Sequence, residues 1–168
     1  MNKLLRILKH RWLDERDARR LIGVDVLERL EARVAASEKV HSGEIRVCVE
    51  AGLPLSYLWK NLSARDRAIT MFGKLRVWDT EANNGVLIYL LLAEHAIEIV
   101  ADRGLARQVP PDHWQRVLGD MREAFRARRF EEGLMRAIDE VEALLLQHYP
   151  LGPGERSPNE LPDAVDLR

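Results

Sequence analysis

Seven consecutive apolar residues, Val86-Leu-Ile-Tyr-Leu-Leu-Leu92, constrain the fold of this chain more than any other feature. The polar turn Asp79-Thr-Glu-Ala-Asn-Asn-Gly85 precedes them and Glu94-His95 follows soon after, so the run has the length of a strand and not of a helix. Near-continuous apolar character, without alternation, belongs to a strand covered on both faces. The chain must therefore supply two apolar layers, one for each side of that strand.

Other segments supply the neighbours. Residues 44–50 alternate, with Ile45, Val47 and Val49 on one face and Arg46, Cys48 and Glu50 on the other, which predicts a strand with one wetter face. Ser63 followed by Asp66 forms a capping box ahead of a helix whose apolar side is Ala68, Met71, Phe72 and Leu75. Strand, helix and apolar strand make a βαβ unit, with parallel strands and a right-handed crossover if the strands are adjacent. After the reversal at Glu94-His95, residues 97–102 form a third strand paired antiparallel with the second.

Helices account for most of the rest. Asp25 has N-cap chemistry with Glu28 behind it, and Leu27, Leu30 and Val34 give that helix one face; it should end near His41-Ser42-Gly43. Pro110-Pro111 open a helix running to about Arg128. Residues 130–148 form the last, with Phe130, Leu134, Ile138, Val141 and Leu145 as its stripe. The fold class is α/β of mixed (α+β) character: a central mixed sheet containing a βαβ unit and an antiparallel hairpin, with helices on both faces. The organisation is a basic amphipathic helical segment over 1–22, a folded domain over 23–149, and a Pro-rich extended tail over 150–168 that docks through Leu161 or Leu167.

Residues 1–20 hold seven cations and three anions. Leu4, Leu8 and Trp12 recur at helical spacing, widened by Leu5 and Ile7, opposite Lys3, Arg6 and His10. Such a helix can dock on its own domain, on a partner, or on an anionic membrane surface; packing on its own domain is the first expectation. The regular cations break the uninterrupted apolar stretch that a signal peptide needs, and no run approaches the length that spans a bilayer. The expectation is a soluble, cytoplasmic protein. A formal charge of −1 over 168 residues argues against nucleic acid as the partner. The arginines at 122, 126 and 129 are interleaved with acids and read as a solvated face. The sequence sets no oligomeric state.

The chemistry is sparse. Strand directions bring the start of the first strand (Ser42, Gly43, Glu44), the start of the second (79–85) and the end of the third (Asp102, Arg103, Gly104) to one margin of the sheet. Oxygen donors gathered there, Glu44, Asp79, Glu81, Asn84 and Asp102, suit a hard cation such as Ca²⁺ or Mg²⁺. With such a metal, Asp79, Asp102 and Arg103 would form the catalytic group of a phosphomonoesterase, Arg103 neutralising charge on the phosphate. Asn83-Asn84-Gly85 is equally ordinary turn chemistry, and Asp102 can simply pair with Arg103 or Arg107.

Familiar sites fail on spacing. As an EF-hand loop from Asp79, the sixth position would be Asn84 in place of glycine and the twelfth Leu90 in place of glutamate. Pro54 stands where a cysteine phosphatase loop starting at Cys48 needs arginine, and Cys48 reads as a small strand residue. Histidines 10, 41, 95, 113 and 148 lack zinc-ligand spacing. No organic cofactor motif is present.

The segment Asn83-Asn84-Gly85 through the apolar strand to Gly104-Leu105 resembles the TPM domain family, whose pattern is a D/N-N-G turn, an apolar strand, a short charged turn and a strand ending in a glycine-rich corner. Gly43-Glu44-Ile45 looks like the family's strand start, and Phe130-Glu-Glu-Gly133-Leu134 like its final helix. The resemblance implies a central mixed sheet with helices on both faces. It also implies divalent-cation binding, as in some members, and acid phosphatase activity, as attributed to a plant thylakoid-lumen member. Other members are linked to photosystem repair or membrane-receptor assembly. The chain resembles the short soluble bacterial type, which implies an interaction or assembly module acting with a membrane protein, either of LemA type or an anchored TPM relative. Two positions depart from the pattern: Asn83 replaces an aspartate, and Asp102-Arg103-Gly104 replaces Gly-x-Gly.

Overall fold

The computed structural model describes residues 3–168; Met1 and Asn2 of the amino-terminal segment lie outside them. Helices α1 (Lys3–Arg11), α2 (Glu15–Ile22) and α3 (Val24–Ser37) lead into strand β1 (Ile45–Glu50). Helices α4 (Leu55–Trp59) and α5 (Ala64–Lys74) carry the chain across to β2 (Val86–Leu91), and a 3-10 turn, Leu92–Glu94, reverses it into β3 (Ala96–Ala101). Then come α6 (Arg103–Ala106), α7 (Pro111–Arg126), α8 (Phe130–His148) and a short β4 (Asp166–Leu167).

The sheet has the order β3-β2-β1-β4. β1 and β2 are parallel in the register Ile45↔Val86 to Glu50↔Leu91, β2 and β3 antiparallel with Val86↔Ala101, and β4 adds to the outer edge of β1 in parallel. The βαβ unit, the hairpin and the mixed sheet are thus as the periodicities predict, and β2 is buried at every residue. One core joins Val47, Val49, Ile88 and Ile99 to Leu30, Leu134, Ile138 and Val141 of α3 and α8. A second, on the other face, joins Cys48, Leu87, Tyr89 and Leu91 to Leu58, Ala68, Met71 and Leu161. Helices cover both faces.

Ser63 caps α5 with the reciprocal Asp66 bond that its sequence predicts. Elsewhere local signals mislead. Asp25 is not an N-cap: α3 starts one residue after Gly23, and the Asp25 carboxylate instead accepts from Arg29 Nη1 at 3.0 Å. The capping box of this region belongs to Asp14 and Asp17, which open the separate α2. The alternating face of β1 is not wet either, since Arg46, Cys48 and Glu50 are all buried. Arg46 donates to the Pro162 and Ala164 carbonyls, Cys48 faces Asp166, and Glu50 accepts from Arg67 and Tyr89. Residues 150–168 provide most of that cover: Leu161 is buried, and Leu167 pairs with Val49.

Candidate functional site

The margin where β1 and β2 start and β3 ends is laced by the main chain. Val86 N–H donates to Glu44 O at 2.8 Å, Asp102 N–H to Gly85 O at 2.8 Å, and Gly104 N–H to Asn83 O at 2.9 Å. The turn demands its residue types. Asn83 has a φ of 52°, which asparagine tolerates better than most side chains. A Cβ on Gly85 would lie 2.0 Å from the Val77 carbonyl oxygen, and one on Gly104 would lie 2.4 Å from that of Asn83. The Asn83-Asn84-Gly85 motif is therefore a close-packing device, whatever else it does.

The predicted site residues are distributed along this margin with different commitments. Glu44 is buried; its Oε2 accepts from Leu161 N–H at 3.0 Å, and burial pushes its carboxyl pKa up. Asp79 is exposed, 3.5 Å from Arg76. Glu81 is exposed, and its N–H donates to the Glu160 carboxylate at 3.0 Å. Asn84 is buried and donates through Nδ2 to Ser42 O at 3.1 Å, while its Oδ1 has no hydrogen-bond partner. Asp102 Oδ1 caps α6 by accepting from Arg103 N–H at 2.7 Å, and its Oδ2 is likewise buried without a partner. Arg103 Nε donates to Asn83 Oδ1 at 2.8 Å, and Arg103 and Arg107 flank a shallow depression beside Gly104. The backbone segments converge as strand direction requires. Among the described residues, no group of three or more His, Cys, Asp or Glu side chains is placed to share a metal ion. The buried side-chain oxygens without donors, among the described residues, are Asn84 Oδ1 and Asp102 Oδ2.

The carboxyl-terminal segment crosses this margin and brings acids of its own. Glu38 Oε1 accepts from Ile45 N–H at 2.8 Å, and burial, with Glu44 and Asp163 nearby, pushes its pKa up to about 8. Nothing in the local pattern around Glu38 signals this, because Asp163 lies far along the chain.

A second surface departs from its sequence reading. α1 is seated with its polar side inward. Arg6 donates to Glu94 Oε1 at 2.7 Å, to Asn61 Oδ1 at 3.1 Å and to Leu62 O at 2.7 Å. His10 is buried; its Nδ1 accepts from Leu53 N–H at 2.9 Å, so Nε2 carries the proton and donates to Glu94 Oε1 at 3.0 Å. Ile7 packs against the second core. The stripe expected to pack on the domain faces outward, with Leu4 69%, Leu5 60%, Leu8 56% and Trp12 83% exposed. The reason is that one turn of helix offers Glu94 two donors, and those polar contacts fix the rotation of α1.

Comparison with known proteins bears on both surfaces. The profile of the TPM domain matches residues 16–144. The chain belongs to the TPM domain family. Two solved structures share the architecture. The NMR structure of BA42 protein from the psychrophilic bacterium Bizionia argentinensis is 26% identical, with a TM-score of 0.73 over 86% of this chain and 93% of that one. The solution NMR structure of the N-terminal domain of a P. gingivalis protein is 22% identical, with a TM-score of 0.62 over 79% and 83% of the two chains, a likeness of fold. No curated protein matches. The TPM match begins at residue 16, so the outward-facing helix α1 lies ahead of it. Among the described residues, no helix is long and apolar enough to cross a membrane.

Proposed function

We propose that this TPM domain protein is an interaction module that docks on a membrane-associated partner through α1. The supporting observation is the rotation of that helix: its arginine at 6 and its histidine at 10 are consumed inward, and Leu5 and Leu8, with Trp12 directly after the helix, are turned out. Surface leucines scattered singly need no explanation, whereas a contiguous apolar stripe of this kind marks an interaction site. The test compares the share of the chain recovered with the membrane fraction of cells producing it, for the wild type and for Leu8→Glu/Trp12→Glu. Both positions are exposed, so the domain should fold unchanged. About a tenfold loss of membrane recovery is expected, and equal recovery overturns the reading.

A second reading attaches to the margin of the sheet. Asn84 Oδ1 and Asp102 Oδ2 are buried acceptors that lack donors, which suits a hard cation; Asp79, Glu81 and Glu44 would have to shift to join them around it. Bound Ca²⁺ or Mg²⁺ would supply the charge and acidified water of a phosphomonoesterase. Arg103, steadied by Asn83, would then hold the phosphate, with Asp79 and Asp102 facing the reaction. Metal-stimulated hydrolysis of p-nitrophenyl phosphate that Asp102→Asn removes is the expected result. A folded sample with neither hydrolysis nor metal-induced amide shifts at residues 83–85 and 102–104 rules the reading out.

A further inference from the structure

The surface that α1 fits is an anionic lipid bilayer, and we infer that the helix lies flat in the headgroup layer of such a membrane. This inference rests on the docking role of α1 and names the partner's chemistry.

Interfacial helices combine an apolar face holding tryptophan and leucine with cations that reach the phosphates. α1 meets both conditions after its own domain has taken what it needs. Leu5, Leu8 and Trp12 are exposed, and Leu8, Lys9, Trp12 and Leu13 surround an apolar depression. Lys9 and Arg11 are exposed at the flank of the stripe. Residues 3–13 contain four formal cations and no acid, and Glu94, the carboxylate against which α1 is seated, is already held by Arg6 and His10. The positive character belongs to this segment: in residues 14–20, Arg16, Arg19 and Arg20 are balanced by Asp14, Glu15 and Asp17, and Glu15 takes Arg19 at 3.9 Å.

This charge decides between occupants. A second copy would set two acid-free stripes against each other, cation against cation, which disfavours a symmetric pairing through α1. A bilayer carrying phosphatidylglycerol offers what the surface lacks: a negative plane for Lys9 and Arg11, and an apolar layer just beneath it for Leu8 and Trp12. The other three tryptophans, at 59, 78 and 114, lie in other parts of the chain, so the emission of Trp12 can be isolated by replacing them with phenylalanine.

Flotation of the full chain with protein-free vesicles is the experiment. Vesicles of phosphatidylcholine containing phosphatidylglycerol should carry the chain upward, and pure phosphatidylcholine should carry about tenfold less. High salt should reverse most of the binding. Leu8→Glu/Trp12→Glu should abolish it, and Lys9→Glu/Arg11→Glu should reduce it about tenfold, with circular dichroism melts matching the wild type in each case. Trp12 emission should move to shorter wavelength and be quenched by brominated lipid. Equal flotation with both vesicle types overturns the inference, because the cations would then have no role. So does a concentration-dependent dimer that Leu8→Glu/Trp12→Glu dissolves, which would make a second copy the occupant. Absence of flotation, with recovery in the cell membrane fraction still dependent on Leu8 and Trp12, overturns the lipid inference while leaving the docking role intact, with a membrane protein as the partner. Loss of both removes the two together.

Discussion

The carboxylate of Glu50 sits inside the second core and accepts from Arg67 Nε at 2.8 Å, Arg67 Nη2 at 2.6 Å and Tyr89 Oη at 2.6 Å. A buried ion pair with its lone pairs satisfied is tolerated, but removing one member leaves a bare charge. Arg67→Ala should therefore lower the unfolding free energy by about 3–5 kcal/mol, read by urea titration; a loss under about 1 kcal/mol would mean that the pair does not anchor the α5–β1 contact. Glu38 has the opposite character. Its carboxyl pKa is raised by burial, so between the usual carboxylate range and about 8 the folded chain holds a proton that the unfolded chain releases. Stability contributed by this group is complete at low pH and falls as pH rises through that window. Glu38→Gln keeps the acceptor for Ile45 N–H and should flatten the fall, measured as melting temperature against pH; an unchanged profile would place the titration elsewhere. Neither residue betrays itself in the sequence. Charged residues alternating with apolar ones at 46 and 50 read as a wet face, because the partners that bury them lie 17 or more positions away.

Elements were legible where the signal is local. The Ser63 box, the apolar run of β2 and the stripe of α8 each lie within a single element, and each appears in the structure as its pattern dictates. α1 shows the limit of that kind of inference. Amphipathicity identifies two faces of a helix and leaves open which one meets the domain; here Glu94, on the turn between β2 and β3, makes the choice. Hydrogen bonds from His10 and then Arg6 hold the Glu94 pKa down to about 2. The resulting stability is present above the ordinary carboxylate range and is lost as pH falls through that range toward about 2. Acid should thus loosen α1 before the sheet. Glu94→Gln should reproduce this at neutral pH, with amide exchange rising at least about tenfold across α1 while β2 amides stay protected. Equal loss of protection in both would show that α1 is not an independent cooperative unit.

At the scale of the whole molecule the sheet is closed by its last strand. β4 covers the edge of β1, Ala51 N–H donates to Arg168 O at 2.7 Å, and the segment leading there roofs the second core with Leu161. The compositional reading of residues 150–168 gave an extended tail, and could not supply pairing, because two strand residues among prolines carry no periodicity. Cys48 reports on this closure: it is fully buried beside Asp166, and burial raises its thiol pKa. Removing residues 150–168 should accelerate its reaction with a thiol reagent by at least about a hundredfold, while an unchanged rate would mean that α4 and α5 alone shield it. The same arrangement sets a timetable for biosynthesis. Cys48 and Asp166 are 118 positions apart, so at 5–20 residues per second roughly 6–24 s separate the synthesis of β1 from that of its outer neighbour. For that interval a nascent chain carries an open hydrogen-bonding flank with Arg46 unaccompanied, a natural point of engagement for a chaperone on the ribosome.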